Sequence, residues 1–67
     1  MKAEELRDLS DDDLRAKVNE LKEELFRMRF KISLGNVDVV KQLRTSRRDL
    51  ARVRTLIRER ELAAAKS

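Results

Sequence analysis

The sequence predicts an all-α fold: an antiparallel two-helix hairpin with a short extra helical turn at the N-terminus. Three observations lead there. The chain has one Gly and no Pro, so it offers few places to turn. Two apolar seams each recur with alternating spacings of four and three residues, the heptad pattern of a helix with one buried stripe. Gly35-Asn36 falls between the seams, and such a pair supplies the left-handed residue that ends a helix. Residues 1–67 are expected to form a single domain.

The first segment, residues 2–9, reads Lys-Ala-Glu-Glu-Leu-Arg-Asp-Leu and suits a short helical turn with Leu6 and Leu9 on one side. Ser10 then marks a helix start. Its side-chain oxygen can accept an orphan backbone N–H, with Asp13 placed to reach back in a capping box. Asp11, Asp12 and Asp13 place negative charge at the positive end of the helix dipole. The first seam follows: Leu14, Val18, Leu21, Leu25, Met28 and Ile32. From Asp11 to Leu34 the helix should be roughly 36 Å long at 1.5 Å per residue.

The second seam is Val39, Leu43, Ser46, Leu50, Val53 and Ile57, with Asn36 or Asp38 capping its start. Ser46 is its polar member, and its hydroxyl can bond a carbonyl one turn earlier. Two long helices joined by a few residues pack antiparallel. A turn centred on Asn36 sets Met28 beside Leu43, Leu21 beside Leu50, Val18 beside Val53 and Leu14 beside Ile57. The Ala-rich tail, Leu62 to Ser67, is expected to fray.

A domain this short buries only about 60% of the surface its unfolded chain exposes, and natural chains of this size add a disulfide, a metal or a partner. There is no Cys and no His, which leaves the partner. The same absence removes the usual general bases and nucleophiles. Ser10, Ser33, Ser46 and Ser67 have no neighbouring base, and the acidic run Asp11-Asp12-Asp13 lacks the spaced ligands and Gly of a calcium loop. One Gly cannot make a phosphate-cradling loop. These features predict no enzyme activity, no cofactor, no metal site and no small-molecule substrate. No run of about 18 apolar residues could span a membrane. The opening Met1-Lys2-Ala3-Glu4-Glu5 lacks the apolar core of a signal peptide. With no Cys to suggest an oxidising compartment, a cytoplasmic location is expected.

The net charge of +4 hides a division. Residues 1–26 carry five basic and nine acidic side chains, whereas residues 27–60 carry eleven basic and three acidic. Such asymmetry suggests a polyanionic partner. From Arg44 to Arg60 every basic residue is Arg. Projected on a helix, Arg44, Arg48 and Arg52 form a row opposite the apolar seam, while Arg47, Arg54 and Arg58 line one flank. Like charges four apart destabilise an isolated helix by a few tenths of a kcal/mol per pair, so an external anion is the better explanation than a solvated face. Arg forks bind phosphate bidentately, and contacts of this kind read backbone rather than sequence. A helix cannot read the narrow major groove of duplex RNA, so a structured RNA backbone is the expected ligand.

Phe26, Phe30 and Leu34 form a further stripe, roughly 100° to 180° around the first helix from Leu25. A two-helix hairpin cannot cover it fully. Either Phe26 widens the core and Leu34 packs under the turn, or Phe26, Phe30 and Leu34 dock on another protein or on RNA, a protein contact being the expectation. Arg27, Arg29 and Lys31 interleave with it, as would suit a ribonucleoprotein surface.

Several segments carry a family resemblance: Lys2-Ala3-Glu4-Glu5-Leu6-Arg7 with Leu9-Ser10; Leu21-Lys22-Glu23-Glu24-Leu25-Phe26 with Arg29-Phe30 and Gly35; and, most specific, Arg47-Arg48-Asp49-Leu50-Ala51-Arg52-Val53-Arg54-Thr55. Over residues 2 to about 61 the chain resembles the bacterial ribosomal large-subunit protein family numbered twenty-nine in the L series. The resemblance implies a structural constituent of the ribosome that binds large-subunit ribosomal RNA near the exit of the nascent-peptide tunnel. It also implies contact with the neighbouring tunnel-rim protein numbered twenty-three in that series, close to where targeting and chaperone factors dock. It assigns RNA contacts to Arg47, Arg48, Arg52 and Arg54, with a hydroxyl contact from Thr55. One departure is Asn36-Val37-Asp38-Val39-Val40-Lys41, less polar than the helix-starting stretch common in the family.

Two other classes compete. A coiled-coil adaptor would use the same seams, but should bind independently of salt and carry mixed charges along both helices. A DNA-binding module would need a helix-turn-helix arrangement, which the sequence lacks.

Overall fold

The computed structural model describes residues 2–66, which are helical with no strand among them. In chain order they form α1 (Ala3–Arg7), α2 (Asp11–Ser33), a 3-10 turn (Val37–Val39) and α3 (Val40–Lys66). The long helices α2 and α3 pack against each other as the predicted hairpin, and α1 lies against α3. The result is a rod of 50 × 17 × 16 Å.

Each boundary has a local cause. Ser10 sits in extended conformation, and its Oγ accepts the N–H of Asp13 at 3.1 Å. That satisfies one of the orphan donors of the first turn. At the other end of α2, Gly35 has φ +96°, which reverses the chain. The N–H groups of Gly35 and Asn36 then reach back to the carbonyls of Ile32 (2.9 Å) and Lys31 (3.0 Å). Asn36 turns the chain into the next element, its Oδ1 accepting the N–H of Asp38 at 3.2 Å. The less polar segment after Gly35 thus forms a 3-10 turn, with Val39 buried, before α3 begins at Val40.

The core is drawn from members of both seams, joined by residues of the N-terminal segment. Leu14, Leu21 and Leu25 of α2 and Leu50 and Val53 of α3 form one buried cluster with Leu6 of α1. Val18, Leu43 and Ile57 pack on it half-buried, and so do Leu9 and Leu56. Leu56 lies off the predicted seam. Among the described residues, Ser46 is the buried polar member.

One expectation is corrected, and one of the two alternatives for the further stripe is excluded. The tail does not fray within the described residues: α3 runs through Ala63-Ala64-Ala65 to Lys66, while Ser67, like Met1, lies outside them. Ala has the highest helix propensity, and a Lys in the last turn suits the negative end of the dipole. Phe26 does not widen the core, nor does Leu34 pack under the turn. They are 73% and 72% exposed, and Phe30 59%.

Candidate RNA interface

Helix α3 positions all the residues singled out from its sequence. Because Leu50 and Val53 must face α2, the remaining directions around the helix are fixed, and the arginines fall outside the core. Arg44, Arg47, Arg48, Arg52, Arg54, Thr55 and Arg58 are all exposed. Among the described residues, no carboxylate pairs with Arg44, Arg47, Arg48, Arg54 or Arg58. Helix α2 behaves differently. There Arg15 pairs with Asp12 (3.8 Å), Lys17 with Glu20 (3.6 Å) and Arg27 with Glu23 (3.3 Å). These are surface pairs worth little stability, but they mark α2 as charge-balanced and α3 as not.

The arginines do not form a single cluster. Arg48, Arg52 and Thr55 line an open groove of about 820 Å³ between α3 and α1. Lys2 and Arg7 come to that groove from the α1 side, together with Glu4, and Glu59 joins from α3. Arg54 lies in a shallower hollow of about 340 Å³ between the long helices, with Arg15 and Asn19. Arg44, Arg47 and Arg58 line neither.

Lys2 and Arg7 were not singled out from sequence. Their signal was the position of Leu6, whose burial decides which side of α3 the short helix covers. Arg60 was missed as well. It is the half-buried arginine of α3, and it donates from Nη1 to Asp11 Oδ1 at 2.9 Å and from Nη2 to the Arg7 carbonyl at 3.1 Å. It thereby ties the end of α1 and the start of α2 to α3. The position was readable in principle. Asp11 lies three residues before Leu14 and Arg60 three after Ile57, so the ion pair continues the predicted register by one rung.

Other side chains have structural duties. Asp11 is held by Arg60, Asp12 faces Arg15, and the N–H of Asp13 is capped by Ser10. No group of three or more His, Cys, Asp or Glu could hold a metal ion among the described residues. Ser33 donates to the Phe30 carbonyl at 2.6 Å, and among the described residues no helix is long and apolar enough to cross a membrane.

A charge-balanced helix packed on one with an excess of exposed arginines makes a small helical hairpin with one basic side. Comparison with known proteins gives its family. The model of the family described as Ribosomal L29 protein matches residues 4–60. A large ribosomal subunit protein uL29 from Carboxydothermus hydrogenoformans is 53% identical over 66 residues, covering 98% of this chain and 96% of the relative. Those from Moorella thermoacetica (52%, 92% of each chain) and Geobacillus stearothermophilus (47%, 98% of this chain and 100% of the relative) are also similar. The chain therefore belongs to the ribosomal L29 family. It is a structural, non-enzymatic constituent of the large ribosomal subunit, and its place is the cytoplasmic ribosome.

Proposed function

We propose that the chain is an RNA-binding scaffold of the large subunit, in which α3 neutralises phosphates of large-subunit ribosomal RNA brought together by RNA folding. Arg44, Arg47, Arg48, Arg52, Arg54 and Arg58 carry the contact, with Thr55 adding a hydroxyl. The observation behind this reading is the exposed arginine array of α3, five of whose members have no carboxylate partner among the described residues. Holding these like charges on one helix is unfavourable until an external anion neutralises them. In this reading, which the family resemblance supports, the scaffold sits at the rim of the nascent-peptide tunnel, beside the neighbour numbered twenty-three in the L series. There the exposed face of Phe26, Phe30 and Leu34 supports an adjoining protein.

The test is binding of the purified protein to large-subunit ribosomal RNA across a salt series, beside an Arg48→Ala/Arg52→Ala variant. Phosphate contacts release counterions, so affinity should fall steeply with salt. Losing two contacts should make the log–log slope shallower by about 1.5. Circular dichroism should show unchanged helix content, because both side chains point away from the core. Salt-independent binding, or a concentration-dependent dimer with no RNA binding, would instead support an adaptor.

A further inference from the structure

The groove between α1 and α3 has a composition that phosphate binding alone does not explain. Its cations are Lys2, Arg7, Arg48 and Arg52, but Glu4 and Glu59 also line it. The two carboxylates weaken the hold of the four cations on a bare phosphate without contributing anything to it. Thr55 adds a more specific constraint. Its Oγ1 donates to the Ala51 carbonyl at 2.8 Å. A hydroxyl has one proton, so Thr55 presents only lone pairs to the groove. A phosphate diester carries no proton to offer them. Thr55, Glu4 and Glu59 are therefore acceptors set among cationic donors. The matching ligand offers negative oxygens and a hydroxyl donor together.

We propose that this groove is a ribose-phosphate site: its cations take the phosphates, and Thr55 accepts a hydrogen bond from a 2′-hydroxyl. The proposal rests on the RNA-scaffold reading and deepens it. It makes α1 part of the interface and makes the module discriminate RNA from DNA, since the 2′-hydroxyl is the group by which a protein tells them apart. RNA carries a hydroxyl donor covalently fixed beside every phosphate, whereas on an acidic protein surface the hydroxyls of Ser, Thr and Tyr hold no set distance from the carboxylates. Arg60 acts here as a positioning residue: through the Arg7 carbonyl it holds the α1 wall of the groove in place.

Competition tests the assignment. Labelled large-subunit ribosomal RNA bound to the full chain is displaced with poly(U), with poly(dU), which differs only in lacking the 2′-hydroxyl, and with poly-glutamate. Poly(U) should compete about fivefold better than poly(dU), the difference one net hydrogen bond makes. Thr55→Val should narrow that gap to within twofold, and Thr55→Ser, which keeps the hydroxyl, should restore it. Lys2→Ala/Arg7→Ala should make the salt slope for ribosomal RNA shallower by about 1.5. Equal competition by the two polynucleotides, an undiminished ribose preference in Thr55→Val, or poly-glutamate matching poly(U) would overturn the ribose assignment. An unchanged salt slope in Lys2→Ala/Arg7→Ala would remove α1 from the interface. Each of these leaves the scaffold reading standing, whereas failure of the wild type to bind ribosomal RNA at all would sink both.

Discussion

Arg60 and Arg48 are the same residue type on the same helix, and their surroundings give them different work. Arg48 lines an open groove, while Arg60 is half-buried and donates to acceptors on two other segments. A planar fork can serve two acceptors at once in fixed geometry, which an ammonium cannot do as well. Arg60→Ala is therefore expected to lower stability by about 1 kcal/mol, a modest figure because Asp11 is largely exposed. Arg60→Lys should recover less than half of it, and urea unfolding monitored by helix signal measures both. The sequence showed the arginines and their faces. It did not separate the clasp from the arginines proposed to meet RNA, because that distinction depends on where α1 lands, and a five-residue helix carries almost no periodicity to say so.

At the scale of elements, legibility followed signal strength. The limits of α2 were readable because a polar cap opens it and a glycine closes it, each satisfying backbone groups the helix leaves orphaned. The end of α3 was misjudged because Ala63-Ala64-Ala65 has no stop signal, and composition suggested a loose tail where propensity favours a helix. The turn shows how local chemistry can be tested. A Cβ at Gly35 would meet open space, so only its positive φ constrains the residue. Gly35→Ala should cost about 1 kcal/mol through backbone strain alone. Gly35→Asn, which tolerates the left-handed region better, should cost less. Denaturant midpoints at constant slope separate the two.

The whole molecule is a thin rod with a short supply of interior. Leu14 and Val53 are its fully buried side chains among the described residues. The isolated protein should melt below about 70 °C, and bound RNA should raise the midpoint by mass action. A scanning calorimetry trace with a sharp monomer transition well above that temperature would contradict this. The exposed Phe26 and Phe30 make a second expectation at this scale. Their replacement by Ala should change monomer stability by less than about 0.5 kcal/mol, as for other surface substitutions, yet weaken incorporation into the large subunit. Unchanged incorporation, measured by co-sedimentation with reconstituted subunits, would make the stripe a bystander. The sequence revealed this stripe as a pattern at helical spacing, but only packing could decide that the hairpin leaves it uncovered.

The contact between Arg60 and the Arg7 carbonyl joins residues 53 positions apart in the chain. Synthesis runs from the N-terminus at about 5–20 residues per second, so α1 emerges seconds before the residue that fastens it. Helix α1 is thus made well before the residue that fastens it. Until Arg60 has been made, nothing clasps the α1 wall of the groove from α3.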